Sequence, residues 1–178
     1  LPTRRQRQMC IRDSYFSVFK YLRQFLTDGR VINVNPIIRF FLVNLLIVPF
    51  RTFSSAKIYR KVWDKETGSP LLYNTKKLAE KLNSKLPDYD VEFAMRYQNP
   101  SLEKVINKIL LKNPDEIIIL PLFPHYAAAT TGSVYEEVSR IISKKWVVPK
   151  IKFINQFYDN EKFINAWIEK ANKFDINA

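Results

Sequence analysis

Arg51, Tyr59 and Ser69 are the first residues whose types and spacing could do chemistry. Arg51 closes an apolar stretch, Ile37–Phe50, and a guanidinium is a planar fork that grips a carboxylate through parallel hydrogen bonds. Tyr59 and Ser69, the latter in a Gly68-Ser69-Pro70 turn, add hydroxyls suited to the same kind of group. Met95-Arg96-Tyr97-Gln98-Asn99-Pro100 sets a second arginine and tyrosine at the end of a strand candidate, where an arginine could serve a ligand, a carboxylate or solvent. Thr130-Thr131-Gly132-Ser133 follows an apolar strand candidate and opens a helix. That position lies at the positive end of a helix dipole, so the hydroxyls could help hold an anion or serve as plain N-caps.

These residues need elements to position them. Val18, Tyr21, Leu22 and Phe25 recur at helical spacing and the pattern stops at Asp28-Gly29. Ile37–Phe50 is strongly apolar but interrupted by Arg39, Asn44 and Pro49, and it is too short to span a bilayer. It is expected to be a buried or cleft-lining helix, a membrane-surface patch or apolar-ligand face being the other uses. Ala56–Trp63 reads as another helix, broken at Gly68-Ser69-Pro70. The next begins near Leu71 and carries Leu78, Leu82 and Leu86 on one face. Val91–Tyr97 is a strand candidate, after which Asn99-Pro100 starts a helix with Pro100 at its first position and a buried stripe of Leu102, Val105, Ile106, Ile109 and Leu110. Glu116–Phe123 is a continuous apolar run, as expected of a strand covered on both faces. Ser133 and Glu136 have capping-box spacing, and Val134, Val138, Ile141 and Ile142 mark the helix they open. Ile151–Phe157 is the last strand candidate. Strands alternating with helices predict an α/β domain of parallel βαβ units, with ligands at the carboxyl ends of the strands.

The chain has 178 residues, 47% of them hydrophobic, enough for one domain burying roughly 70% of its unfolded surface. Its net charge is +12, partly from Arg4, Arg5, Arg7 and Arg12 near the start, with the remaining lysines scattered. No basic run has the interleaved aromatics of a strand-binding groove, so no nucleic-acid partner is expected. Cys10 is the only cysteine and His125 the only histidine, which excludes an intrachain disulfide and a Cys/His zinc cluster and fits a reducing, cytoplasmic compartment. Residues 1–14 are polar, arginine-rich and aperiodic, and are read as a non-native or disordered tail, leaving 15–178 as the domain. At the other end Phe163, Ile164, Trp167 and Ile168 form an apolar stripe that should pack against further structure, so the chain reads as a fragment.

Leu120-Pro121-Leu122-Phe123-Pro124-His125-Tyr126-Ala127-Ala128-Ala129-Thr130-Thr131-Gly132-Ser133 resembles the L-P-L-[YF]-P-x-[YF]-x-x-x-T-T-G-S signature of ferrochelatases. The order Pro49-Phe50-Arg51, Ala56-Lys57-Ile58-Tyr59, Gly68-Ser69-Pro70-Leu71 is similar to their porphyrin-lip segment, and Met95–Pro100 to their [MF]-R-Y-x-x-P element. The likeness covers residues 15 to 175, about half of a full ferrochelatase. It implies a doubly wound, Rossmann-like parallel sheet flanked by helices, one of two similar halves enclosing a porphyrin. Ferrochelatases have a first β-strand ending in L-V-N-L-G-x-P where residues 1–14 sit here, so that strand would be missing.

The resemblance implies insertion of ferrous iron into a porphyrin in haem biosynthesis, with iron and porphyrin as substrates and no organic cofactor. It assigns porphyrin contacts to Arg51, Tyr59, Ser69, Arg96 and Tyr97, with Thr130, Thr131 and Ser133 as further candidates beside their capping role. Family members vary at the position of His125, which is therefore read as a satisfied or half-buried histidine. The family's catalytic histidine lies in a later S-x-H-[GS]-x-P segment and its partner glutamate beyond that. Neither occurs in this sequence, so no catalytic or metal-ligating residue is assigned, and the missing C-terminal half is the implied partner. A peripheral membrane contact through Ile37–Phe50 is also implied. The alternatives are another type II tetrapyrrole chelatase, acting with cobalt, and a non-enzymatic basic protein held at anionic lipid.

Overall fold

The computed structural model describes residues 15–64 and 66–173; the reading of residues 1–14 as a tail lies outside them. The chain divides into two compact units, Leu1–Leu111 and Lys112–Ala178, each taken by itself.

The first unit begins with α1, Tyr15–Leu26, whose buried residues Val18, Leu22 and Leu26 fall four apart on one stripe. The helix ends where expected, and the Thr27 hydroxyl donates to the Arg23 carbonyl at 2.6 Å. After a loop, the Asn35 side chain accepts from the Ile37 N–H at 2.9 Å and caps α2, Pro36–Phe41, with the proline in the first turn. α2 does not stop there. A π-helical turn, Leu42–Ile47, carries it into α3, Val48–Val62, giving one helix of 27 residues, Pro36–Val62.

Two expectations change with that helix. Pro49 does not interrupt it, because the proline falls just after the π turn, where the hydrogen-bond ladder already changes its spacing. Nor is the segment short: by length and apolar composition alone, Pro36–Val62 is sufficient to cross a membrane. Burial is confined to one stripe. Val43, Val48 and Ala56 pack on Val18, Leu22 and Leu26, flanked by Phe19, Tyr21, Phe25, Ile32, Ile47 and Tyr59. Thr52 is buried on the same stripe and returns its hydroxyl to the Val48 carbonyl at 2.6 Å. Ile37, Ile38, Phe40, Phe41, Leu45, Leu46 and Phe50 are all more than half exposed, so the segment is not a buried helix.

Gly68 turns the chain with φ of 78°, which a residue with a Cβ adopts at a cost. α4, Pro70–Lys85, follows at once, but Ala79 is its only fully buried residue. Val91–Tyr97 is not a strand. The Asn83 amide occupies both backbone groups of Val91, at 2.8 and 2.7 Å, and only Met95 pairs, in an isolated bridge with Ser101. α5, Leu102–Leu110, is capped by Ser101, so Pro100 precedes the cap instead of opening the helix. Val105 and Ile106 are buried, while Leu102, Ile109 and Leu110 are half-buried.

In the second unit β1, Glu116–Ile119, runs parallel to β2, Lys150–Phe153, with Ile117 opposite Ile151. Between them lies α6, Ser133–Ile142, which buries Val134, Val138 and Ile141. The α/β class therefore holds in coarse form, as a helix-rich chain with a small parallel sheet; of three expected strands, two form among the described residues. Both are shorter than expected, because beyond Ile119 the chains stay adjacent through single bonds, Ile154 N–H to the Ile119 carbonyl (3.0 Å) and Phe157 N–H to the Pro124 carbonyl (2.9 Å). Ile117 is buried but Ile118 is 39% exposed, so only one face of β1 is covered. α7, Glu161–Ala171, has no buried residue, and Ile164, Trp167 and Ile168 lie open.

The seam between α1 and the long helix predicts a contrast measurable in urea. Val43→Ala should lower stability by about 2 kcal/mol, through lost burial and a cavity, whereas Ile37→Ala should change it by less than about 0.5 kcal/mol. Equal effects would contradict the one-sided burial.

Candidate functional site

Arg51 and Tyr59 both stand on α3, about 12 Å apart along its axis. Arg51 is exposed and makes no ion pair among the described residues. Tyr59 is half-buried, its ring edge-on to Tyr21 at 6.1 Å. Ser69 is the N-cap of α4: its Oγ accepts from the Leu72 N–H at 3.4 Å, and because a hydroxyl can accept and donate together, its O–H proton remains a donor. The turn before it is held by Asp64, whose Oδ1 accepts from the Glu66 N–H (2.9 Å), the Thr67 N–H (2.6 Å) and the Thr67 hydroxyl (2.8 Å). Asp64 and Gly68 also exchange both backbone bonds at 3.0 Å. The Thr67 N–H first, then the Thr67 hydroxyl and the Glu66 N–H, hold the Asp64 carboxyl below its ordinary value.

Arg96 and Tyr97 converge on a residue that the sequence offered only as a helix exit. The Arg96 guanidinium lies 2.8 Å from Asp28 Oδ2, and the Tyr97 hydroxyl donates to the same oxygen at 2.8 Å. The Asp28 side chain is 5% exposed and that of Arg96 23%. The Arg30 N–H completes the grip on Oδ1 at 2.8 Å. Around this pair, Tyr21 stacks on Phe25 at 5.8 Å, and the Tyr97 ring meets both edge-on, at 6.1 and 5.6 Å. The structure thus gathers Tyr59, Arg96 and Tyr97 round Tyr21, Phe25 and Asp28. Sequence reading missed these last three as site residues because Arg96 and Tyr97 lie 68 and 69 positions from Asp28.

In the second unit, Ala127 is extended and the helix starts at Ala128 with a π turn, Ala128–Gly132. Ser133 is therefore already helical, and the capping-box position assigned to it falls inside the helix. Thr131 and Ser133 are completely buried, and the Thr131 hydroxyl finds no hydrogen-bond partner among the described residues. Thr130 is half-buried and returns its hydroxyl to the Ala127 carbonyl at 3.3 Å. His125 is exposed, not half-buried, and its ring stacks on Tyr158 at 4.8 Å.

The family model described as "Ferrochelatase" matches residues 13–175. Ferrochelatases of Francisella tularensis subsp. novicida (strain U112), subsp. tularensis (strain SCHU S4 / Schu 4) and subsp. holarctica (strain LVS) are each 47% identical to this chain over 151 residues. Those residues make up 84% of this chain and 45% of each relative, so the chain spans about half the length of the curated relatives it matches.

The turn that carries Ser69 yields a pH prediction. A carboxyl held low contributes stability that is present above its unfolded value of 3.8 and lost as pH falls through the lower folded one. Asp64→Asn should therefore lower the unfolding midpoint at neutral pH, and the gap from the parent should narrow as pH falls below the unfolded value of 3.8. A gap independent of pH would contradict the role given to its charge. Ser69→Ala should cost about 1 kcal/mol of stability through the lost cap.

Proposed function

Because the chain belongs to the ferrochelatase family, we propose that it forms the N-terminal half of an enzyme that inserts ferrous iron into a porphyrin in haem biosynthesis. The observation that carries this reading is the uncovered apolar face of Ile37–Phe50, ending on the exposed Arg51, which makes no ion pair among the described residues. A porphyrin is a flat apolar ring with carboxylate tails, and such a ligand calls for a greasy surface bordered by a few anion partners. Arg51 takes a propionate through its fork, Tyr59 supplies a hydroxyl, and Ser69 donates the proton its capping bond leaves available. Arg96 and Tyr97 border the same ligand through the aromatic cluster. Thr130, Thr131 and Ser133 shape the loop after β1, the burial of the last two favouring support over direct contact.

Iron insertion exchanges the inner N–H protons of the porphyrin for the metal, so it needs a proton acceptor beside the ring. By resemblance that acceptor belongs to the S-x-H-[GS]-x-P segment, which this sequence does not contain. The residues of this chain bind and orient the ring, and distortion toward the transition state draws on such contacts remote from the metal. The protein acts in the cytoplasm, where the exposed Ile37–Phe50 face also allows peripheral contact with a membrane surface.

Two measurements test this reading. Titration with a dicarboxylate porphyrin should quench the tryptophans saturably, and Arg51→Ala with Ser69→Ala should weaken the affinity about tenfold, the scale of one to two charge-assisted bonds. Quenching that never saturates, or is equal in both proteins, would overturn the porphyrin reading. The 178-residue chain should insert no iron above the uncatalysed rate, and measurable insertion would contradict the assignment of proton transfer to the other half. The lipid alternative predicts vesicle binding that weakens with salt and ignores porphyrin.

A further inference from the structure

The two arginines assigned to the ligand are in opposite electrostatic states. Arg51 is exposed and unopposed by any acid among the described residues. Arg96 is locked onto Asp28 at 2.8 Å, and the Tyr97 hydroxyl closes on the same oxygen. An ion pair this tight carries no net charge, and its field falls off as a dipole's, faster than that of a single cation. Tyr97, which touches both members of the pair, joins it to the rings of Tyr21 and Phe25, and Tyr21 to Tyr59, with neighbouring rings 5.6 to 6.1 Å apart. The unit thus holds a charge-balanced pair joined to aromatic rings and, separately, an exposed cation with no ion pair among the described residues. A ligand with one carboxylated edge and an otherwise apolar rim satisfies both. A ring carboxylated all round brings a further anion to the Asp28–Arg96 pair, whose guanidinium is already neutralised and offers no net charge to offset the anion's desolvation.

We propose that Asp28 is a specificity-determining residue: by neutralising Arg96 it makes this face select a porphyrin acidic along one edge and reject one acidic on every side. The proposal rests on the porphyrin reading above, and it concerns a residue that acts through Arg96 without touching the ligand.

The test compares the full chain with Asp28→Asn, Arg96→Gln and the double variant. Asparagine keeps the shape and an acceptor for Tyr97. Each protein is titrated with a dicarboxylate and with an octacarboxylate porphyrin. Asp28→Asn should tighten the octacarboxylate about fivefold relative to the dicarboxylate, with a new salt dependence. Arg96→Gln, which leaves the acid unopposed, should shift the preference the other way. The double variant should return to the parent's preference, and it keeps the proposal testable if the single Asp28 variant does not fold. An Asp28 variant that weakens both porphyrins equally is acting only on structure, and that result overturns the proposal, as does an unchanged preference. Citrate separates this inference from the porphyrin reading. As a ring-free polyanion it should raise the melting temperature of Asp28→Asn but not of the double variant. Absence of that gain overturns the charge role. The gain without saturable porphyrin binding in any protein upholds the charge role and overturns the ligand reading.

Discussion

One seam organises the first unit. The stripe Val18, Leu22 and Leu26 of α1 covers Val43, Val48 and Ala56 of the long helix. Each of these valines and leucines contributes roughly 1.5 to 3 kcal/mol through burial. The stripe fixes which way the helix faces, and therefore which of its apolar residues stay out. Arg51, Tyr59 and Asp28 hang from this packing. Arg51 neighbours the buried Thr52, Tyr59 lies less than a turn beyond the buried Ala56, and Asp28 sits two residues past the end of α1. Weakening the seam would disorder the greasy face and its arginines together.

Local signals in the sequence were strong wherever local physics decides the structure. The 3.6-residue stripes of α1 and α6, and the break at Gly68-Ser69-Pro70, are legible because they depend on neighbours a few residues away. Three features were not legible. Pro49 was read as an interruption, but a π turn beside it carries the helix through. Val91–Tyr97 has strand-like composition, but a strand exists only when paired, and the Asn83 amide holds its first backbone groups instead. Ile37–Phe50 has the composition of a core helix; its exposure depends on which elements arrive to cover it, and composition does not encode that.

The sequence offered candidate site residues but not their wiring. Arg51, Tyr59, Ser69, Arg96 and Tyr97 came from order and residue type. That Arg96 spends its charge on Asp28 needed three dimensions. The distinction matters chemically. A free arginine recruits carboxylates, whereas a neutralised one orients a tyrosine and keeps a surface aromatic without making it strongly cationic. The proposed ligand class draws on family membership, and the roles proposed for the two arginines draw on their different ion pairing.

The central claim is that the uncovered face of the long helix is where the ring lies. Amide hydrogen exchange along the chain, with and without a dicarboxylate porphyrin, tests it directly, since a covered helix opens less often. The account predicts new protection concentrated in peptides spanning residues 36–51 and 95–101, with the α7 peptide unchanged. Protection confined to α7, or no protection at saturating porphyrin, would contradict it.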